Sequence, residues 1–139
     1  MRVLITGGRD FTNAELIYRC LDEAREALGI TEIIHGAATG VDTIAGKWAL
    51  DRGVTQHKEP VPPESWQRLG GRAGNARNSL MLRKWEPDAV IGFPGGTGTT
   101  DMVLKARKAK IPTYMAWSSR WSELLSQGAH KPAEDVLAV

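Results

Sequence analysis

Three glycine-rich segments are the places where this chain could bind an anion. They are Gly7-Gly8, the segment from Gly36 to Gly40, and Gly95-Gly96-Thr97-Gly98. Glycine lets backbone N–H groups approach an oxyanion closely, and a helix that begins behind such a loop adds partial positive charge. Any one loop is equally well explained as a tight turn between a strand and a helix. Three of them together favour a phosphate-binding cleft.

Two arginines could neutralise the charge of that phosphate. Arg9 follows the first glycine pair, and Arg77 lies in segment 68–84, which has five basic residues and no acidic one. A guanidinium can hold a phosphate by two hydrogen bonds, with Asn78 as a polar neighbour. The alternative for Arg9 is a surface salt bridge. For Arg68, Arg83 and Lys84 a solvated basic face is favoured.

Asp42 and Trp66 each allow two interpretations. Asp42 follows Gly40 at the start of a helix, so it is either an N-cap or a carboxylate that accepts hydrogen bonds from ribose hydroxyls. Trp66 either packs against the protein or stacks on a base. His35 and His57 have no carboxylate or cysteine at ligand spacing, so no metal site is expected.

Alternating strands and helices position these residues. Apolar runs predict strands at 1–5, 32–35, 54–57, 88–93 and 111–116, and helical periodicity predicts helices at about 13–28, 41–51, 64–69, 75–85 and 100–110. Thr12 with Glu15 predicts a capping box, and Gly29 predicts the end of the first helix. The segments 70–74 and 94–99 are expected to be loops.

This alternation predicts the α/β class: a single three-layer domain with a mostly parallel sheet of about five or more strands and helices on both faces. The domain spans 1–139, with 117–139 as a tail that carries a short helix near Trp121. Trp117 and Trp121 are expected at a subunit interface. In a parallel sheet the three glycine loops share the carboxyl edge of the strands and can line one cleft.

Composition excludes several classes of protein. The 139 residues are 42% hydrophobic and carry a net charge of +2, which fits one domain and is too weakly basic to demand nucleic acid. Cys20 is the one cysteine, which excludes an internal disulfide. No apolar run reaches the ~18 residues of a membrane helix, so a soluble, cytoplasmic chain without a membrane partner is expected. The glycine loops match neither a Walker A loop nor a dinucleotide fingerprint, and no cofactor is predicted.

Two motifs resemble a known family. The segment Pro94-Gly95-Gly96-Thr97-Gly98-Thr99-Thr100-Asp101 resembles the PGGxGTxxE signature of the Lonely Guy phosphoribohydrolases, and Arg77-Asn78-Ser79-Leu80-Met81 resembles their RKxxM segment. The rest is still more similar to the YspA-like (YpsA-related) branch of the SLOG superfamily. The residues that carry this likeness are Gly7-Gly8-Arg9-Asp10-Phe11, His35-Gly36-Ala37, Gly40-Val41-Asp42, Trp66, the segment 73–78 and Phe93-Pro94-Gly95-Gly96.

The resemblance implies a Rossmann-like domain that binds a nucleotide-derived ligand, often as a homodimer or tetramer. It implies ligand-binding roles for Gly7, Gly8, Arg9, Phe11, Gly36, Ala37, Asp42, Trp66, Arg77, Asn78, Pro94, Gly95, Gly96, Thr97, Gly98 and Thr99. In the hydrolase branch, an arginine and a glutamate at the positions of Arg77 and Asp101 cleave base from ribose 5-phosphate. Here the carboxylate is an aspartate, one methylene shorter, and catalysis depends on placement within about 1 Å.

Three functions therefore follow from the sequence. The first is binding of a nucleotide, an ADP-ribose-like molecule or a cyclic nucleotide in the glycine-rich cleft, in order to sense or sequester it. The second is hydrolysis of the N-glycosidic bond of a nucleoside monophosphate, with Arg77 and Asp101 as catalytic residues. The third is binding of single-stranded nucleic acid by segment 68–84, which ranks last because the net charge is nearly balanced.

Overall fold

A computed structural model of the chain describes residues 1–128. This part contains five strands: β1 (Arg2–Thr6), β2 (Glu32–His35), β3 (Thr55–Lys58), β4 (Ala89–Gly92) and β5 (Thr113–Met115). Its helices are α1 (Ala14–Leu28), α2 (Val41–Arg52), α3 (Pro63–Leu69), α4 (Arg72–Trp85), α5 (Thr97–Lys108) and α6 (Trp121–Gly128). The α/β class predicted from the sequence is confirmed.

The five strands form one parallel sheet in the order β3-β2-β1-β4-β5. This is the order of a Rossmann-like sheet. The connection after β3 carries the chain back past β1, so the strand order switches direction at the crossover between β1 and β4. Leu4 pairs with Ile34 on one side and with Val90 on the other, so β1 lies in the centre of the sheet. Open parallel sheets bind ligands beyond the carboxyl ends of the two strands at such a crossover.

Two apolar clusters hold helices on both faces of the sheet. Val3 and Ile5 of β1 point into the cluster shared with α1, α2 and α6, whereas Leu4 points into the cluster shared with α4 and α5. This alternation follows from the period of two along a strand. All three side chains are at most 1% exposed, so the centre of β1 is buried on both faces and is a continuous apolar run in the sequence.

Two helices begin earlier than their sequence pattern predicts. Helix α4 starts at Arg72, so Ala73 and Gly74 are helical rather than part of a loop. Helix α5 starts at Thr97, which shortens the loop after β4 to three residues, Phe93 to Gly95, ahead of the N-cap residue Gly96. Glycines lie at both starts. A glycine in a helix costs only about 1 kcal/mol relative to alanine, so tertiary contacts can override its low helix propensity.

The N-cap of α1 is Asn13, not Thr12 as the sequence motif predicted. The Asn13 side chain accepts a hydrogen bond from the Leu16 N–H at 3.1 Å, and Gly29 ends the helix in the left-handed conformation as expected. Both Thr and Asn can cap a helix, so the residue types alone could not choose between neighbouring positions.

We expect Asn13→Ala to lower the free energy of unfolding by about 1 kcal/mol, because a helix N–H loses its partner. Thr12→Ala is the matched control, since Thr12 is exposed and should change stability by less than about 0.5 kcal/mol. Urea titrations followed by circular dichroism compare the two variants. A larger loss for Thr12→Ala than for Asn13→Ala would restore Thr12 as the cap.

The last described helix belongs to the core. Trp121 is 7% exposed and packs with Leu124 and Leu125 against the α1 side of the sheet, so the predicted place of Trp121 at a subunit interface is wrong. The end of the predicted tail, residues 129–139, lies outside the described residues. Within residues 1–128, no helix has the length and apolar character needed to cross a membrane.

Candidate functional site

A polar cleft of about 430 Å³ opens at the carboxyl edge of the sheet, above the crossover between β1 and β4. Its walls come from the loop after β1, the face of α4 and the start of α5. The lining residues are Thr6, Gly7, Gly8, Arg9, Asp10, Ala38, Asp42, Trp66, Gly71, Gly74, Asn75, Arg77, Asn78, Gly96, Thr97, Gly98 and Thr99.

The loops after β1 and β4 touch each other beneath this cleft. The Gly8 N–H donates to the Pro94 carbonyl at 2.8 Å. A Cβ atom on Gly8 would lie 2.8 Å from that carbonyl oxygen and 2.9 Å from Gly95 Cα, closer than real Cβ atoms approach backbone. Glycine at position 8 therefore allows the two loops to pack, and its N–H serves that contact rather than an anion.

The first turn of α5 supplies backbone donors to the cleft. The first hydrogen bond inside this helix runs from the Thr100 N–H to the Gly96 carbonyl, at 3.1 Å. The N–H groups of Thr97, Gly98 and Thr99 precede it and so have no partner within the helix. They lie at the positive end of the helix dipole, where an anion is stabilised.

One face of α4 forms the wall opposite this turn. Gly71, just ahead of the helix, and Gly74, Asn75 and Asn78 within it follow the spacing of a single helical face and all line the cleft. Asn78 is 4% exposed, and its Nδ2 donates to the Gly98 carbonyl and to Asp101 Oδ2, both at 3.1 Å. The buried amide thus holds α4 and the start of α5 at a fixed distance.

Arg77 crosses from α4 to the loop after β2. Its Nη1 donates to the carbonyls of Gly36 at 2.8 Å and Glu59 at 3.2 Å, and its Nε donates to Asn78 Oδ1 at 3.3 Å. Burial lowers the pKa of Arg77, and the positive charge of Arg9 lowers it further. The guanidinium nevertheless stays charged at neutral pH. Arg77 is therefore a cation fixed in the wall of the cleft.

Asp42 holds the loop after β2 from inside. It is 6% exposed, and its Oδ2 accepts hydrogen bonds from the N–H groups of Gly36 at 3.1 Å and Ala38 at 3.2 Å. Burial raises the pKa of this carboxyl, while the backbone donors, His35 and Arg77 oppose the rise. The N-cap of α2 is Gly40, so the predicted capping role of Asp42 is wrong, although Asp42 still borders the cleft.

Asp101 is not among the residues that line the cleft. Its Oδ2 lies 2.8 Å from Lys105 Nζ and accepts the hydrogen bond from Asn78. The ion pair lies within α5, and the helix is joined to α4 by the bond from Lys105 to the Asn75 carbonyl, at 2.7 Å, and by the bond from Asn78 to Asp101. The carboxylate that the family pattern makes catalytic is engaged here in a contact between two helices.

Arg9 and Trp66 lie together at the rim. The Arg9 guanidinium carbon is 5.6 Å from the centre of the Trp66 ring, a distance at which a cation is attracted to the face of an aromatic ring. Trp66 is 39% exposed and belongs to α3, a helix with no buried residue. Both side chains border the cleft.

The structure brings most of the predicted ligand residues together and leaves some outside the lining. Phe11 stacks on Phe93 with ring centres 6.3 Å apart. Pro94 and Gly95 border a separate groove along α5. Gly36 supports the site from behind through its contacts with Arg77 and Asp42, whereas Ala37 borders a different groove. Which residues bind a ligand stays a prediction.

Comparisons with known proteins identify the family. A model of the YspA, cpYpsA-related SLOG family matches residues 1–68. The gene 61 protein of Mycobacterium phage D29 is 36% identical over 118 residues, covering 80% of this chain and 92% of the phage protein. The chain belongs to this SLOG family.

Solved structures share the fold of the SLOG chain. DNA processing protein A from Helicobacter pylori superposes with a TM-score of 0.61 at 23% identity, covering 94% of this chain and 74% of that one. TM1055 gives a TM-score of 0.60 at 20% identity, covering 81% and 72% of the two chains. UDP-GlcNAc 2-epimerase from Neisseria meningitidis gives 0.52 at 20% identity, and this chain covers 39% of it. At these identities the likeness concerns the fold.

A larger groove on the SLOG chain is less suited to phosphate. It measures about 760 Å³ and lies between α1 and α2. Its lining contains five carboxylates, Glu15, Asp22, Glu23, Glu26 and Asp51, against the two cations Arg19 and Lys47. Surplus negative charge repels an anion, whereas the polar cleft balances Asp10 and Asp42 with Arg9 and Arg77 and adds a helix N-terminus.

A third groove, of about 620 Å³, lies beside the cleft along α5 and the end of β5. Leu104 and Trp117 border it and are 58% and 52% exposed. They are large apolar side chains on the surface of the SLOG chain, and the homo-oligomer expected from the resemblance stays a prediction.

Among residues 1–128 no group of three or more His, Cys, Asp or Glu side chains is arranged to hold a metal ion.

Two features of the site were missed in the sequence. Asn75 lines the cleft, and its spacing of three residues from Asn78 on a predicted helix was the available signal. Lys105 pairs with Asp101, and the spacing of four residues on a predicted helix was the available signal. Both spacings lie within the predicted helices, but spacing alone does not show which face of a helix borders a cleft.

Proposed function

We propose that this SLOG chain binds a nucleotide-derived small molecule through a phosphate group in the polar cleft. The observation that carries the proposal is the convergence on one cleft of Arg77, Arg9 and the first turn of α5. A phosphate accepts hydrogen bonds from backbone N–H groups and from guanidinium groups, and each of these is stronger for a charged acceptor. The cleft volume, about 430 Å³, lies within the common range of about 300–1,000 Å³ for small-molecule sites.

The anion would lie between the start of α5 and α4. There the N–H groups of Thr97, Gly98 and Thr99 would donate to its oxygens, with Arg77 on the opposite side. Arg77 is already fixed by the Gly36 and Glu59 carbonyls, so little conformational entropy is lost when it binds the anion. Binding of the ligand in this cleft would serve to sense or sequester it.

The position of Asp101 favours binding over hydrolysis. A carboxylate that assists departure of a base must reach the glycosidic bond, within hydrogen-bond distance or through one water. Asp101 instead forms an ion pair with Lys105 and does not line the cleft. The bonds from Asn78 and Lys105 hold it in that position.

The basic segment 68–84 does not require nucleic acid as a partner. In the proposed function Arg77 serves the phosphate in the cleft, and Lys84 pairs with Glu59 at 3.0 Å. DNA processing protein A from Helicobacter pylori, which binds single-stranded DNA, shares the fold with this chain at 23% identity. If the chain bound DNA, its affinity for DNA would fall steeply as the salt concentration rises.

Calorimetry and chromatography test the proposal together. We expect AMP, GMP, CMP, UMP or ADP-ribose to bind the chain with one ligand per protomer, and adenosine to bind at least tenfold more weakly than AMP. Incubation of the chain with AMP, GMP, CMP and NAD should release no free base. No binding of any of these ligands at millimolar concentration overturns the proposal, and release of base that stops in Asp101→Asn replaces it with hydrolysis.

A further inference from the structure

Trp66 is the one aromatic side chain among the described residues that line the cleft. The other tryptophans with a clear packing role are buried: Trp48 is 0% and Trp121 is 7% exposed. Trp66 is 39% exposed on a helix that buries no residue, so core packing does not account for it. A large, flat, exposed ring at the rim of a polar cleft is suited to stacking.

The face of this ring is covered by a cation. The Arg9 guanidinium lies 5.6 Å from the ring centre. Arg9 is exposed and follows the glycine pair after β1, so its side chain can reach either the ring or the interior of the cleft. Phe11, two residues later, stacks on Phe93 and is not a second platform.

We infer that Trp66 is a base-stacking platform and that Arg9 exchanges from its ring to the phosphate of the bound ligand. This inference rests on the proposed function and adds the class of ligand to it. A phosphate in the cleft attracts the Arg9 guanidinium, and the ring face that Arg9 leaves is taken by the planar base. The cleft therefore selects molecules that carry a phosphate and an aromatic base over sugar phosphates without a base.

The size of this preference follows from stacking. A base stacked on an aromatic side chain contributes roughly 5- to 150-fold in affinity by alanine substitution, with little dependence on which base it is. We expect the unaltered chain to bind AMP roughly 5- to 150-fold more tightly than ribose 5-phosphate. GMP, CMP and UMP should all retain most of that advantage.

Calorimetry on three variants tests the inference, with AMP and ribose 5-phosphate as the probes. Trp66→Ala and Trp66→Leu should bring AMP down to the affinity of ribose 5-phosphate and leave ribose 5-phosphate within about twofold. Trp66→Phe should keep most of the preference, because it keeps an aromatic face. Trp66→Leu separates the loss of the aromatic ring from the loss of side-chain volume, since leucine keeps an apolar side chain on α3 but has no ring.

The outcomes separate this inference from the proposed function. Equal affinities of the unaltered chain for AMP and ribose 5-phosphate overturn the base platform and leave phosphate binding intact. The base platform is also overturned if Trp66→Leu weakens both probes equally, because Trp66 would then only support the fold of the rim. Failure of the unaltered chain to bind either probe overturns the proposed function, and the inference with it.

Discussion

Arg77→Gln is expected to weaken AMP binding by about 10- to 150-fold. A hydrogen bond to a charged group contributes about 1.5–3 kcal/mol, and each 1.4 kcal/mol is a tenfold change in affinity. Glutamine is neutral and cannot replace Nη2, the guanidinium nitrogen left for the anion when Nη1 and Nε bind Gly36, Glu59 and Asn78. Arg77→Lys should bind AMP with an affinity between those of the unaltered chain and Arg77→Gln, because lysine keeps the charge but not a donor held in place by these contacts.

The same substitution should also destabilise the chain. The Gly36 and Glu59 carbonyls would lose their donor, and the buried Asp42 would lose a cation that opposes the rise of its pKa. We expect a loss of about 1–3 kcal/mol in the free energy of unfolding.

Arg83→Gln on the same helix is the matched control for both measurements. Arg83 is exposed in the last turn of α4 and does not line the cleft. It should change stability by less than about 0.5 kcal/mol and leave the affinity for AMP unaltered. Calorimetry and urea titration give the two quantities. An Arg77→Lys variant that binds AMP as tightly as the unaltered chain would show that the site does not depend on a guanidinium held in place.

Gly8→Val is expected to lower the free energy of unfolding by about 1–3 kcal/mol, the cost of forcing a side chain into a packed position. The first atom of any side chain at this position meets backbone, the Pro94 carbonyl and Gly95 Cα, rather than the end of a flexible side chain. One of the two loops must therefore move, and the hydrogen bond between them at 2.8 Å is disturbed.

Gly98→Ala is a control at a neighbouring glycine, in the first turn of α5, and its expected change in stability has the opposite sign. A Cβ atom at Gly98 meets no atom within 4 Å, and the residue lies in the first turn of α5. Alanine should stabilise this turn by up to about 1 kcal/mol relative to glycine. Thermal unfolding compares the two variants. Equal melting temperatures for Gly8→Val and the unaltered chain would show that the loops do not pack as described.

The order of strands and helices could be predicted because each element has a local signature. The continuous apolar run of β1 is typical of a strand buried on both faces, and the apolar stripe of α1 has the period of 3.6 residues of a helix that buries one face. The place of the cleft followed as well, since the loops after parallel strands must share one edge of the sheet.

The contacts inside the site could not be predicted, because they join residues that are distant in the chain. Arg77 pairs with Gly36, and Gly8 with Pro94, and neither spacing in the sequence marks these neighbours. Asp42 could be placed at the start of α2, but its bonds to the backbone of the preceding loop depend on how that loop folds back. Asp101 shows the limit of a motif, since the pattern names the residue and the Lys105 ion pair decides where it points.

Phosphate binding in the polar cleft is best tested by an amide chemical-shift map of the ¹⁵N-labelled chain titrated with AMP. The largest shifts should fall on Thr97, Gly98 and Thr99 in the first turn of α5 and on the indole N–H of Trp66. The acidic groove between α1 and α2 serves as the internal control and should stay unchanged. Shifts confined to that groove, or no shifts at millimolar AMP, would contradict phosphate binding at the start of α5.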